Sequence, residues 1–247
     1  MFHFFQKKIF LADYLHGLVD IHNHILPGID DGAKTVNKSV ELLRGFSDLG
    51  VTEFICTPHI MHNYYNNTEE TILSAYTMLK EHLSKVDSLE VSLDFAAEHM
   101  IDDNFEHLLS TKKVLPIKGE YLLIEMSYLQ PSINFDVSVE KITKERLFPV
   151  LAHPERYLYL KPKKGEYIRY KQKGVHFQLN LLSLGGHYGA DVQKIAHSLL
   201  DSGMYEYVGS DVHKIHHIEA LKSVKLNERL LNKILPVLEN TKSTFGS

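Results

Sequence analysis

The stretch VDIHNHILPGIDDG, Val19–Gly32, ends a short apolar run in His22 and His24 and then supplies Asp30 and Asp31. His22 and His24 are two residues apart. In extended chain that spacing puts both side chains on the same side, so both can grip one ion. The fold follows from asking whether other apolar runs end in the same kind of residue.

Seven β-rich runs alternate with amphipathic segments: LVDIH (18–22), VTEFICT (51–57), LEVSLDFAA (89–97), YLLIEM (121–126), FPVLAH (148–153), VHFQLN (175–180) and YEYVGS (205–210). Most are continuously apolar, as buried parallel strands are. The spacing predicts helices over 36–50, 68–86, 136–147, 164–174, 190–203 and from about 227 to 238. Thr68 with Glu69 and Glu70 forms a helix start, and Gly50, Gly174 and Gly203 form stops. Strand–helix alternation of this kind gives a parallel sheet with helical crossovers, either closed into a barrel or open and doubly wound.

Nearly every run delivers a polar residue at its C-terminal end: His22-Asn23-His24, Thr57-Pro58-His59, Glu98-His99, Glu125, His153-Pro154-Glu155-Arg156, Asn180 and Ser210-Asp211-Val212-His213. In a parallel α/β fold those ends converge on one face, where active sites lie. The set is rich in N and O donors and has no thiolate, which suits Zn, Mn or Fe and a polynuclear site. Asp211 and His213 repeat the spacing of His22 and His24. If the sheet closes, the first and last strands become neighbours and the two pairs meet. Glu98 and Glu125 have oxygens able to bridge two ions.

The 247 residues, 44% hydrophobic and 23% charged, suit one soluble domain over 1–247 with an N-terminal arm over 1–16. A net charge of −4 without long basic runs speaks against a nucleic-acid partner. Cys56 is the one cysteine, so no internal disulfide forms and the cytoplasm is the expected compartment. The start MFHFFQKKIFLADYLHG is too short in its apolar stretches for a signal peptide or a membrane span. It reads as a docked arm, with a membrane-surface contact as the alternative and no stable insertion.

DIHNHILPGIDDGAKT, TPH, the Glu of AAEHM, LIEMS, AHPERY and GSDVH, in this order, resemble the polymerase-and-histidinol-phosphatase (PHP) superfamily. Within it they are similar to the bacterial manganese-dependent protein tyrosine phosphatases of capsule and exopolysaccharide systems. The resemblance runs from about Gly17 to His213. It implies a distorted (β/α)7 TIM-like barrel and a metal set of His22, His24, Asp31, His59, Glu98, Glu125, His153, Asp211 and His213. Three divalent ions are implied, manganese first, with iron or zinc as alternatives. Arg156 is implied as the phosphate-binding residue, and a tyrosine kinase of polysaccharide synthesis or export as the protein partner. The segment SDVHKIHHIEALK lacks the second arginine that relatives often carry; Lys214, His216 or His217 are the replacements available. The oligomeric state is left open.

The chemistry implied is in-line attack on phosphotyrosine by a metal-bound hydroxide, with Arg156 gripping the non-bridging oxygens. A metal-bound water or His59 supplies any proton the leaving phenolate takes. A small phosphomonoester such as histidinol phosphate is the alternative substrate, followed by nuclease action and a non-catalytic binding module. A cysteine phosphatase is excluded, because six residues after Cys56 stands His62 and not an arginine; Cys56 reads as a buried, inert thiol. Asp30 is expected to support the site rather than enter it. His99 reads as structural, and His62, Tyr64 and Tyr65 as a bordering loop. Asn180 is a hydrogen-bonding residue of the site, Lys34 and Lys38 are exposed helix-start residues, and 157–171 is a solvated surface. GGHYG (185–189) reads as a turn before a helix.

Overall fold

The computed structural model describes residues 9–87, 89–161 and 164–246. Its strands are β1 (Ile9–Phe10), β2 (Val19–Asp20), β3 (Glu53–Cys56), β4 (His59–Ile60), β5 (Ser92–Phe95), β6 (Glu98–Met100), β7 (Tyr121–Glu125), β8 (Phe148–Ala152), β9 (His176–Asn180), β10 (Tyr207–Gly209) and β11 (Lys225–Leu226). The α-helices are α1 (Val36–Ser47), α2 (Glu69–Leu83), α3 (Phe105–Ser110), α4 (Phe135–Lys144), α5 (Lys164–Gln172), α6 (Ala190–Asp201), α7 (Ile215–Lys222) and α8 (Glu228–Phe245).

Seven strand units form a distorted, incompletely closed parallel barrel flanked by helices. The second and third units each break in two. Thr57-Pro58 separates β3 from β4, and Ala96-Ala97 separates β5 from β6. Their first halves pair in the sheet β2-β3-β5, and their second halves join β4-β6-β7-β8-β9-β10. The first halves end where the apolar runs VTEFICT and LEVSLDFAA end, and the second halves, β4 and β6, are too short for a pattern of their own; Pro58, which cannot donate to a ladder, marks the first break.

Between the first and last units the ladder shrinks to one parallel bridge, Asn23 to Val212, reinforced by side-chain bonds. Asp211 N donates to His22 O (2.7 Å) and His24 N to Val212 O (3.0 Å). Asp20 accepts from Ser210 N at 2.9 Å and from Ser210 Oγ at 2.6 Å. The two ends of the chain's strand order thus meet where the HxH and DxH pairs lie, as closure of the sheet requires.

The faces alternate with period two. On β7, Leu122 and Ile124 belong to the larger core beneath the helices, whereas Leu123 belongs to a smaller core with Val19, Ile55, Val150 and Phe245. Glu125 is two residues beyond Leu123 and shares its face. The strand therefore carries apolar surface at depth and a carboxylate at its C-terminal end.

Helix ends follow local chemistry. Thr35 and Asn227 cap α1 and α8, and Thr68 forms a capping box with Thr71 on α2. Such caps contribute about 1 kcal/mol each. Helix α8 runs past the expected stop near Leu238 to Phe245 despite Pro236, because Val237, Leu238, Thr241 and Phe245 continue its buried stripe. Helices α3 and α7 were not expected from periodicity, being only six and eight residues long. Residues 1–8 of the expected arm lie outside the described residues. From Ile9 the arm is docked: β1 pairs antiparallel with β11, and Leu11 and Leu15 are fully buried.

Candidate metal centre

The loop after β2 is folded back by close backbone contact. Gly32 lies against His24, where a Cβ would come within 2.1 Å of His24 O, so only glycine fits. Its N–H donates to Asp30 Oδ1 (2.8 Å), and Asp30 Oδ2 lies 2.8 Å from His24 Nδ1. Asp30 thus orients His24 and leaves Asp31 facing the two other imidazoles of this rim. His22 and His24 lie just beyond the regular strand, yet their rings remain neighbours, 5.5 Å apart. Beside them, His153 and Asp211 adopt left-handed backbone conformations, with φ of 35° and 52°. Such strain in non-glycine residues concentrates at functional sites.

All nine expected residues come together, and they sort into four overlapping groups able to hold divalent ions: His24, Asp31, His59 and His213; His22, His24 and Asp211; His22, Glu98 and His153; His59, Glu98 and Glu125. Glu98 is central. Its Oε2 lies 3.0 Å from His59 Nδ1 and 3.2 Å from His22 Nε2, and its Oε1 lies 3.1 Å from His153 Nε2. Glu125 Oε1 is 2.9 Å from His59 Nδ1, and Asp211 Oδ1 is 3.3 Å from His24 Nε2. His213 Nε2 and His59 Nε2 face Asp31 Oδ1 at 3.3 and 3.5 Å.

These close approaches do not satisfy hydrogen-bond geometry at the atoms that matter. His22 Nε2, His24 Nε2, His59 Nδ1, Glu98 Oε2 and Glu125 Oε1 are buried without a hydrogen-bond partner. Leaving one such atom unpaired costs about 1–3 kcal/mol, so five converging on one space is a costly arrangement for the protein alone. Divalent cations, which need lone pairs aimed at a common point, fit it.

The electrostatics agree. Burial disfavours charge on His22, but Glu98 and Asp211 outweigh it and raise its pKa above the ordinary value. His24 is likewise raised to about 10 against burial, chiefly by Asp30. Burial would raise Glu98 and Asp211, yet the facing imidazoles, His22 foremost, hold both carboxyls well below their ordinary values. Glu125 moves the other way, raised by burial and by Glu98. Without cations the centre must bind protons on its histidines to balance clustered carboxylates, so metal binding releases protons.

Supporting residues complete the shell. Gln178 Oε1 lies 2.8 Å from His22 Nδ1, and Asn180 Nδ2 donates to Asp211 Oδ2 (2.9 Å). Such contacts fix which ring nitrogen points inward. Gln178 was not singled out in the sequence, although a glutamine inside the apolar run VHFQLN is the available signal. Gly209 lies so close that an added Cβ would be 2.6 Å from His22 Cβ.

Arg156 Nη1 donates to Asp211 Oδ2 at 2.5 Å. Its guanidinium lies over the rings of Tyr128 and Tyr188, 4.6 and 4.1 Å from their centroids. Burial works against its charge, but Tyr128 and Asp211 hold its pKa above the ordinary value. Tyr128 and Tyr188 were missed as site residues, because loop tyrosines carry no spacing signal and Tyr188 falls in the turn GGHYG. Glu155 turns away, accepting from Asn180 N, Ser183 Oγ and Tyr205 Oη.

Tyr65 stacks on His59, while His62 and Tyr64 lie in the adjoining turn. Lys34 donates to Asp30 O, and Lys38 pairs with Glu41 on the exposed helix surface. In the segment SDVHKIHHIEALK, His216 and Lys214 are exposed and His217 Nδ1 accepts from His213 N. Cys56 is fully buried, and burial pushes its thiol up, away from the reactive range. In the surface segment 157–171, residues 162 and 163 lie outside the described residues, and Tyr157 is fully buried rather than solvated. Its hydroxyl accepts from Met126 N.

His99 is structural. Its Nδ1 donates to Leu123 O and its Nε2 accepts from Leu115 N, both at 3.2 Å, which fixes a neutral ring. Burial lowers its pKa to about 4. Because the unfolded ring titrates near 6.5, the stability this neutral ring contributes is full above pH 6.5 and is lost as pH falls through 4. The expected loss is on the order of 3 kcal/mol. Urea unfolding of the wild type and His99→Leu checks this: their stability difference should shrink by that order between pH 7 and pH 4, and a constant difference contradicts it.

Fold and site together define a distorted parallel barrel with a divalent-metal-binding centre of His, Asp and Glu at the C-terminal ends of its strands. The chain belongs to the CpsB/CapC family of capsular polysaccharide synthesis, whose model matches residues 18–227. It is 29% identical to CapC of Staphylococcus aureus over 224 residues, 90% of this chain and 88% of that one. It is 27% identical to the tyrosine-protein phosphatase YwqE of Bacillus subtilis over 199 residues, 80% of this chain and 78% of that one. Among solved structures it is similar to one from a set comprising YwqE of Bacillus subtilis and CpsB of Streptococcus pneumoniae, described as metal-dependent tyrosine phosphatases. That match has a TM-score of 0.76 at 26% identity and covers 93% of this chain and 88% of that one. Among the described residues no helix is long and apolar enough to cross a membrane.

Proposed function

We propose that this chain is a metal-dependent protein tyrosine phosphatase, loaded with three divalent ions, manganese first, and acting on a bacterial tyrosine kinase of polysaccharide synthesis or export. The observation that carries this reading is the set of unpaired buried ligand atoms converging beside Arg156. The activity of the relatives named above supports it.

The nine ligands are His22, His24, Asp31, His59, Glu98, Glu125, His153, Asp211 and His213. Bound ions supply positive charge to the ester oxygens and lower the pKa of water toward about 7. Arg156, sandwiched between Tyr128 and Tyr188 and tied at one nitrogen to Asp211, presents its remaining donors to the non-bridging phosphate oxygens. Asp30, Gln178 and Asn180 keep His24, His22 and Asp211 oriented. As a neutral imidazole, His59 has one lone pair. Its buried Nδ1 faces Glu98 and Glu125 and would hold an ion there. That leaves its Nε2, on the side of Asp31, to carry the proton that a leaving phenolate would take. A phenolate of reference pKa about 10 needs little more.

Phosphate release from a phosphotyrosine peptide and from histidinol phosphate, each with manganese and with EDTA, tests this. The expected result is manganese-dependent release with kcat/KM at least about tenfold higher for the peptide, a discrimination of about 1.4 kcal/mol. Release favouring histidinol phosphate would keep the centre and overturn the substrate.

A further inference from the structure

Much of the exposed apolar surface of this chain gathers beside the centre. Ile133 is 100% exposed, Leu129 90% and Tyr64 79%. All three line one groove of about 860 Å³, together with Met61, Met100 and Tyr128. Its walls come from the segments that follow β4, β6 and β7, the same strand ends that carry His59, Glu98 and Glu125. Contiguous exposed apolar surface of this kind marks an interaction site, and methionines let such a surface adapt to different side chains.

The groove is continuous with the centre through one side chain. The hydroxyl end of Tyr128 lies 3.4 Å from His153 Nε2 and its ring carries the Arg156 guanidinium, while Tyr128 also lines the groove. The groove's charge is one-sided. Asp102, Asp103 and Glu106 line it, Glu106 is paired with Lys141, and no Lys or Arg is among its lining residues. Phosphate has no partner there; an apolar segment carrying a basic residue has.

We infer that this groove seats the polypeptide that flanks the phosphotyrosine of the substrate protein, taking an aliphatic or aromatic neighbour against Leu129 and Ile133 and a Lys or Arg facing Asp102 and Asp103. The inference rests on the tyrosine phosphatase reading and adds its sequence preference. The occupant is the substrate's own chain because the groove adjoins the phosphate site through Tyr128, which touches both Arg156 and His153, so residues flanking a bound phosphotyrosine lie within its reach.

The test compares wild type with Leu129→Ser/Ile133→Ser on three esters: a phosphotyrosine peptide with apolar and basic flanks, the same peptide with Gly and Ser flanks, and p-nitrophenyl phosphate. Both positions are exposed, where substitutions change folding stability little. The wild type should prefer the apolar, basic peptide, and the double variant should raise its KM about tenfold or more, the worth of one well-buried apolar side chain. Its kcat, and kcat/KM on the other two esters, should stay within about twofold. If wild type treats both peptides alike, or the variant lowers activity on all three esters equally, the groove assignment fails while the phosphatase reading stands. If light scattering shows a dimer that the double variant dissociates, with peptide kinetics unchanged, the groove belongs to a second copy and the inference fails. If no phosphotyrosine ester is hydrolysed with manganese present, both readings fail together.

Discussion

His22→Ala is expected to lower kcat/KM on a phosphotyrosine peptide by at least about 10³-fold, more than the 10–100-fold typical of residues that only support a ligand. His22 belongs to two of the four metal-capable groups, and its Nε2 faces both Glu98 and Asp211. Removing it takes a ligand from each of those two groups and leaves the buried carboxylates of Glu98 and Asp211 each without one of the imidazoles they face. An uncompensated buried charge costs about 3–5 kcal/mol, so the metal-free variant should also melt earlier. Added manganese should recover part of that loss, because ions on the surviving ligands neutralise the same carboxylates. Steady-state kinetics and metal analysis of the purified variant check the prediction. A His22→Ala protein with near-wild-type turnover would remove His22 from the ligand set.

The second large effect concerns Arg156. Arg156→Ala should cost about 10²–10³-fold in kcat/KM, the range seen when one preorganised oxyanion donor is lost. Arg156→Lys should recover only a minor part. A lysine brings a point charge without the planar fork, and it loses the stacking between Tyr128 and Tyr188. The metal content should not change in either variant, because Arg156 holds Asp211 Oδ2, which Asn180 also holds, while Oδ1 is the atom that faces His22 and His24. That separates a phosphate-binding role from an indirect one through Asp211. Loss of metal together with loss of rate would assign Arg156 to positioning Asp211 instead.

What the sequence disclosed was set by locality. Strand ends are local, so the residues after each apolar run could be named, and all nine candidates do meet in space. Asp30 could be read as a supporting residue because Asp31 stands next to it. Gln178 and Asn180 share a strand, but which ligand each one serves depends on a neighbour more than thirty residues away. That the chain re-enters a sheet after β3 and β5 was not legible, since β4 and β6 are only two and three residues long and are defined by their pairing partners. Tyr128 and Tyr188 flank Arg156 only because two loops distant in sequence fold over it. The short helices α3 and α7 fall below the length at which periodicity speaks.

The central claim is that this cluster of His, Asp and Glu works by holding divalent ions. The most direct measurement is phosphate release from a phosphotyrosine peptide by protein stripped with EDTA, dialysed free of chelator and titrated with manganese. The account predicts no release at the start, a rise with added metal, and saturation near three ions per chain. Full activity of the stripped protein before any metal is added would contradict it.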